Sequence, residues 1–96
     1  MIDLDSQYIK LIKEIISNEL KTYKLYIFGS RAKNTARKYS DIDIAIDSPL
    51  LTDKIKSKIG FEFENSTIPY EVDIIDLNNI TDSFKNLIKN DLIELN

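Results

Sequence analysis

Asp41 and Asp43 stand one residue apart in Ser40-Asp41-Ile42-Asp43-Ile44-Ala45-Ile46, a stretch whose apolar alternation reads as a β-strand. Side chains on a strand point alternately to opposite faces, so the two carboxylates project together while Ile42, Ile44 and Ile46 project into a core. Their Cα atoms would lie roughly 6.6 Å apart, twice the rise per residue, a spacing at which carboxylates converge on one or two hard cations. Aspartate is a poor strand former, and like charges on one face repel, so the pair calls for a divalent cation. Upstream, Gly29-Ser30 closes the apolar segment Lys24 to Phe28. Glycine allows a sharp turn and a close approach to a ligand, and a following helix would offer free N–H groups to a phosphate. Taken alone, Gly29-Ser30 is also an ordinary strand-to-helix turn with a serine cap. Arg31, Lys33, Arg37 and Lys38 crowd the same segment of a chain whose net charge is -3. That local reversal of sign points to a polyanion such as a nucleoside triphosphate.

Gly29-Ser30, the ten-residue interval and Asp41-Ile42-Asp43, set between two apolar strands, resemble the signature of the polymerase-β-type nucleotidyltransferase superfamily. The run Gly29-Ser30-Arg31-Ala32 followed by Ser40 to Ile46 is similar to its minimal branch, the MNT-domain proteins. The resemblance implies an α/β (α+β) fold: a small mixed sheet of three or more strands flanked by about three helices. It implies Asp41, Asp43 and a third acid as catalytic and metal-binding residues, and Gly29, Ser30 and Arg31 as nucleotide-binding residues. Two Mg2+ ions, with Mn2+ as a substitute, and ATP are the implied cofactor and substrate. It also implies a partner, a HEPN-domain ribonuclease toxin silenced by transfer of AMP to a tyrosine. Two other functions fit the same residues: an antitoxin that masks its partner by binding alone, and a transferase acting on a small hydroxylated molecule such as an aminoglycoside. The chain departs from the pattern at Asn34, where many minimal members carry a second glycine; asparagine tolerates the left-handed conformation better than most residues.

Composition agrees with oxygen-based metal chemistry. The chain has neither cysteine nor histidine, which removes thiolate nucleophiles, cysteine zinc sites and the commonest general base. Any metal must be held by oxygen, which favours magnesium or manganese. The acidic balance argues against broad binding to DNA or RNA, and a mononucleotide needs only a local basic patch. No apolar run is long enough to cross a bilayer, and Asp3 and Asp5 break any signal-peptide pattern, so a cytoplasmic protein is expected. Ninety-six residues suffice for one domain, 1–96, with no room for a second that would complete a substrate pocket.

The elements that must position these groups follow from periodicity. Leu4, Tyr8, Leu11, Ile12, Ile15 and Leu20 predict a helix over about 5–22, capped by Asp5 or Ser6. Residues 24–28 form the first strand, 30–36 a short helix and 41–47 the second strand. Ser48-Pro49 opens a second helix over about 50–64. Residues 70–77 form a third strand, on which Glu71, Asp73, Ile75 and Leu77 share a face opposite Val72, Ile74 and Asp76. Beside the Asp-Ile-Asp strand, Asp73 would join the acid pair from about 4.8 Å away. The resemblance selects Asp73 by position; Asp76 is its competitor, and Asp47 reads as a surface charge. Ile80, Phe84, Leu87, Ile88, Leu92 and Leu95 predict a final helix over 80–94. Tyr8, Tyr23, Tyr26 and Tyr70 read as packing residues.

Overall fold

A computed structural model describes residues 2–33 and 40–95. The expectations for Asn34, Arg37 and Lys38, and the later half of the helix expected over 30–36, lie outside the described residues. Helix α1 (Ser6–Glu19) begins where the Asp5 carboxylate accepts the Gln7 N–H at 3.0 Å, a side-chain cap for an otherwise orphan donor. It stops three residues earlier than predicted, because Leu20 turns into extended backbone and buries its own side chain in the core. Strand β1 (Lys24–Phe28) follows, then a turn over 30–33 in which Lys33 N–H reaches Gly29 C=O at 3.2 Å. Strand β2 (Ile42–Asp47), helix α2 (Asp53–Glu64), strand β3 (Val72–Asp76), helix α3 (Asp82–Ile88) and strand β4 (Ile93–Glu94) complete the order.

The four strands form one mixed sheet in the order β3-β2-β1-β4. β2 runs antiparallel to β1 and parallel to β3, with α2 as the crossover that a parallel pair requires. One face is dry. Ile12 and Ile16 of α1, Leu25 and Ile27 of β1, Ile42, Ile44 and Ile46 of β2, and Ile59 of α2 are fully buried together there. The other face has a thinner cover, with Ala45, Leu77 and Ile88 buried and Tyr26, Phe28, Ile75, Ile80 and Leu92 partly buried against them. The tyrosines pack, as their positions suggested: Tyr8, Tyr23 and Tyr70 lie against the first cluster and Tyr26 against the second.

Strand β3 is shorter than the 70–77 expected, and two further boundaries differ more from the sequence reading. α2 starts at the Thr52 cap, whose hydroxyl accepts the Ile55 N–H at 3.2 Å, rather than at Ser48-Pro49. Ser48 is buried, and its hydroxyl is committed to Thr22 C=O and to the Leu50 N–H. The helix expected over 80–94 ends at Ile88, and the chain then turns and pairs with β1, Tyr26 opposite Glu94 and Ile27 opposite Ile93. Leu95 donates to Leu25 C=O at 2.8 Å and is itself buried. The physical reason is the edge of β1: its backbone groups need partners, and a short terminal strand satisfies them at the cost of two helical turns. No helix among the described residues is long and apolar enough to cross a membrane.

Candidate active site

The antiparallel register sets Phe28, the last residue of β1, opposite Asp43. Gly29 therefore lies beside the Asp43 side chain. Its φ of 77° is left-handed and calls for glycine, and a Cβ built there would push the Asp43 carboxylate aside. On the other side, the parallel register sets Asp43 opposite Asp73. Asp41 lies just before β2 and is exposed, Asp43 is half-buried, and Asp73 is exposed on the outer strand of the sheet. The three acids and the Gly-Ser turn thus meet at one end of the sheet.

Electrostatics mark Asp43 as the centre of this group. Burial, then the charge of Asp73, then that of Asp41, push its carboxyl above the ordinary value. Among the described residues no three acidic side chains are already gathered tightly enough to hold a cation. The donor set nonetheless suits a hard divalent ion, since all three are carboxylates and the charges of Asp73 and Asp41 disfavour the ionised form of Asp43 until a cation offsets them. Asp76 is elsewhere: it pairs with Ile46, and its carboxylate accepts the Asn78 N–H at 2.9 Å to shape the turn after β3. Asp47 accepts from the Asn78 amide at 3.0 Å and lines a separate open groove of about 510 Å³ with Ser48 and Thr52. That groove lies at the opposite end of β2. A second groove, of about 520 Å³, runs between α2 and β3 past Phe63, Ile68, Pro69 and Tyr70 and reaches Asp73. A third, of about 370 Å³, also reaches Asp73, past Lys56, Gly60 and Ile74.

The cations are less available than the sequence implied. Lys33 is paired with Asp91 at 3.2 Å across an exposed surface. Arg31, expected beside the phosphates, is almost fully buried, with 5% of its surface exposed. Its Nε and Nη2 donate to Ser40 C=O at 3.2 and 2.8 Å, and its Nη1 donates to Asp3 C=O at 2.9 Å. The guanidinium lies over the Tyr70 ring, 4.1 Å from the centroid, and Tyr70 meets Tyr8 edge to face at 6.1 Å. The run Gly-Ser-Arg-Ala gave no signal of this inward turn, because the partners are main-chain carbonyls distant in sequence.

Residues 10–95 match the family described as polymerase beta, nucleotidyltransferase. The chain belongs to that nucleotidyltransferase family. It is 32% identical over 89 residues to a probable protein adenylyltransferase MntA of Haemophilus influenzae, an alignment covering 92% of this chain and 78% of that protein. Solved structures share the nucleotidyltransferase fold at lower identity. A toxin–antitoxin crystallised with AMP-PNP superposes with a TM-score of 0.79 at 20% identity, over 91% of this chain and 71% of that one. The tri-AMPylated Shewanella oneidensis HEPN toxin in complex with its MNT antitoxin gives a TM-score of 0.75 at 17% identity, over 96% of this chain and 71% of that one.

Proposed function

We infer that this nucleotidyltransferase is a magnesium-dependent protein adenylyltransferase of the cytoplasm, moving AMP from ATP to a tyrosine of a HEPN ribonuclease toxin and thereby serving as its antitoxin. The observation that carries this reading is the placement of Asp43 against Gly29 on one side and opposite Asp73 on the other, in a member of this family. The adenylyltransferase name of the 32% identical relative and the HEPN complexes among the structural neighbours support the choice of acceptor.

In this reading Asp41, Asp43 and Asp73 are the catalytic and metal-holding residues, and residues 1–96 act as one catalytic domain. Divalent ions held there would offset the triphosphate charge and lower the pKa of the acceptor hydroxyl. The acceptor oxygen forms a bond to the α-phosphorus as the bond to the β-phosphate bridging oxygen breaks, so pyrophosphate leaves in line. The phenolic proton passes to Asp73, an exposed member of the acid group. Gly29 admits the triphosphate to the turn by keeping a side chain out of the space beside Asp43, and Ser30 orients it from the same turn.

The test is incubation of the purified chain with MgCl2, ATP and a HEPN-domain protein from the same organism, followed by intact mass of both chains. One or more added AMP units on the HEPN protein, lost in Asp41→Asn and Asp43→Asn, is the expected result. Neutralisation of the toxin without any adduct would overturn the enzymatic reading in favour of masking.

A further inference from the structure

Arg31 is the only charged side chain among the described residues that is buried outright. A buried guanidinium costs several kcal/mol unless its donors are met, and here three of its five N–H donors meet main-chain carbonyls while its flat face meets a ring. The identity of those partners is informative. The Ser40 carbonyl belongs to the peptide unit that carries the Asp41 nitrogen, and two of the three bonds go to it. Tyr70 leads into β3, and the next residue, Glu71, accepts the Ile42 N–H at 2.8 Å, zipping the entrance of β3 to that of β2. Arg31 itself follows the Gly-Ser turn, and its own carbonyl accepts the Asp3 N–H at 2.7 Å. One side chain therefore ties together the turn, the approach to Asp41 and Asp43, and the approach to Asp73.

We propose that Arg31 is a positioning residue for the acid cluster: its bidentate grip on Ser40 C=O and its stacking on Tyr70 set the distance from Asp41, just before β2, and Asp43, on β2, to Asp73 on β3. The proposal rests on the active-site reading above. Lysine cannot replace it, because a single ammonium presents no fork to a carbonyl and no flat face to a ring. Three of its five N–H donors are already committed to carbonyls inside the fold, which favours a holding role over a phosphate contact.

The experiment uses the full chain with Arg31→Lys, and with Tyr70→Leu and Tyr70→Phe in case the first variant folds poorly. Ile12→Val, a core change in α1, serves as a control of lowered thermal stability. Mn2+ binding is followed by water proton relaxation with a non-hydrolysable ATP analogue present, together with amide exchange at residues 40–43 and 71–74. We expect Arg31→Lys to raise the Mn2+ half-saturation by about 10–100-fold, the range seen when partners that orient metal ligands are lost. Exchange should quicken in both segments, while nucleotide affinity at saturating metal changes less than about twofold, within the spread of ordinary surface substitutions. Tyr70→Leu should follow in the same direction, and Tyr70→Phe and Ile12→Val should leave the Mn2+ midpoint where it is. A weakened nucleotide affinity with an unmoved Mn2+ midpoint would make Arg31 a phosphate contact and overturn the proposal. Unchanged exchange in both segments would overturn it as well. Wild-type protein that binds no Mn2+ would instead defeat the active-site reading, and the proposal with it.

Discussion

The two faces of the sheet divide the labour of this molecule. The face beneath α1 and α2 is filled by fully buried isoleucines and leucines from four elements. Among the described residues the face beneath α3 buries only Ala45, Leu77 and Ile88, and at one end of it stands Asp43, whose ionised form is disfavoured by burial and two neighbouring acids. The same strand serves both, since Ile42, Ile44 and Ile46 point one way and Asp43 and Ala45 the other. A site of like charges is destabilising by itself, and it persists because the opposite face over-determines the strand that carries it. Stability and chemistry should therefore respond to different residues of β2.

The largest expected effect lies on the dry face. Ile44→Ala should cost about 2–5 kcal/mol, the range for deleting a fully buried branched side chain, read as a lower midpoint in urea unfolding. A loss well below 1 kcal/mol would mean that this face is not the stabilising one. Its neighbour should behave in the opposite way. Asp43→Asn should leave the urea midpoint unchanged or raised, since it removes a carboxyl strained by burial and by Asp73 and Asp41, while AMP transfer falls by more than about a hundredfold. Parallel losses of stability and transfer in that variant would erase the division between faces.

Smaller effects sharpen the comparison within α2. Gly60 faces open space, with nothing within 4 Å of an added Cβ, and lines a groove that reaches Asp73. Gly60→Ala should stabilise the helix by about 0.5–1 kcal/mol. A transfer rate that drops in this more stable variant would identify the groove as part of the acceptor's path. The last effect concerns pH. Burial, and then the charge and hydrogen bond of Glu19, push the Glu62 carboxyl above its ordinary value, with Lys58 opposing them. The folded state then binds a proton more tightly than the unfolded one, so this contribution is fully present in acid and is lost as pH rises through the raised value. Glu62→Gln should flatten that decline in thermal stability on the alkaline side of the carboxylate range. A profile unchanged by the substitution would remove Glu62 from the pH dependence.

Much of this arrangement is legible in the chain itself, because it is written in local periods. Alternation places β1 and β2 to within a residue, and the spacing of Leu11, Ile12, Ile15 and Leu20 gives α1 apart from its last turn. Asp41 and Asp43 share an approach to one face by strand geometry alone, and the two-residue period also separates Asp73 from Asp76. Long-range pairing decides the rest. Only the parallel register sets Asp73 opposite Asp43, only the close approach of β1 and β2 sets the Asp43 carboxylate against Gly29, and only the open edge of β1 draws Ile93 and Glu94 out of a helical pattern. Arg31 is the clearest case. Its sequence neighbours suggest a phosphate ligand, whereas its partners at Asp3, Ser40 and Tyr70 are brought to it only by the folded chain. Sequence determines which faces are apolar and which residues could do chemistry; tertiary structure decides which donors are already spent, because hydrogen bonds between distant backbone groups leave no period in the sequence.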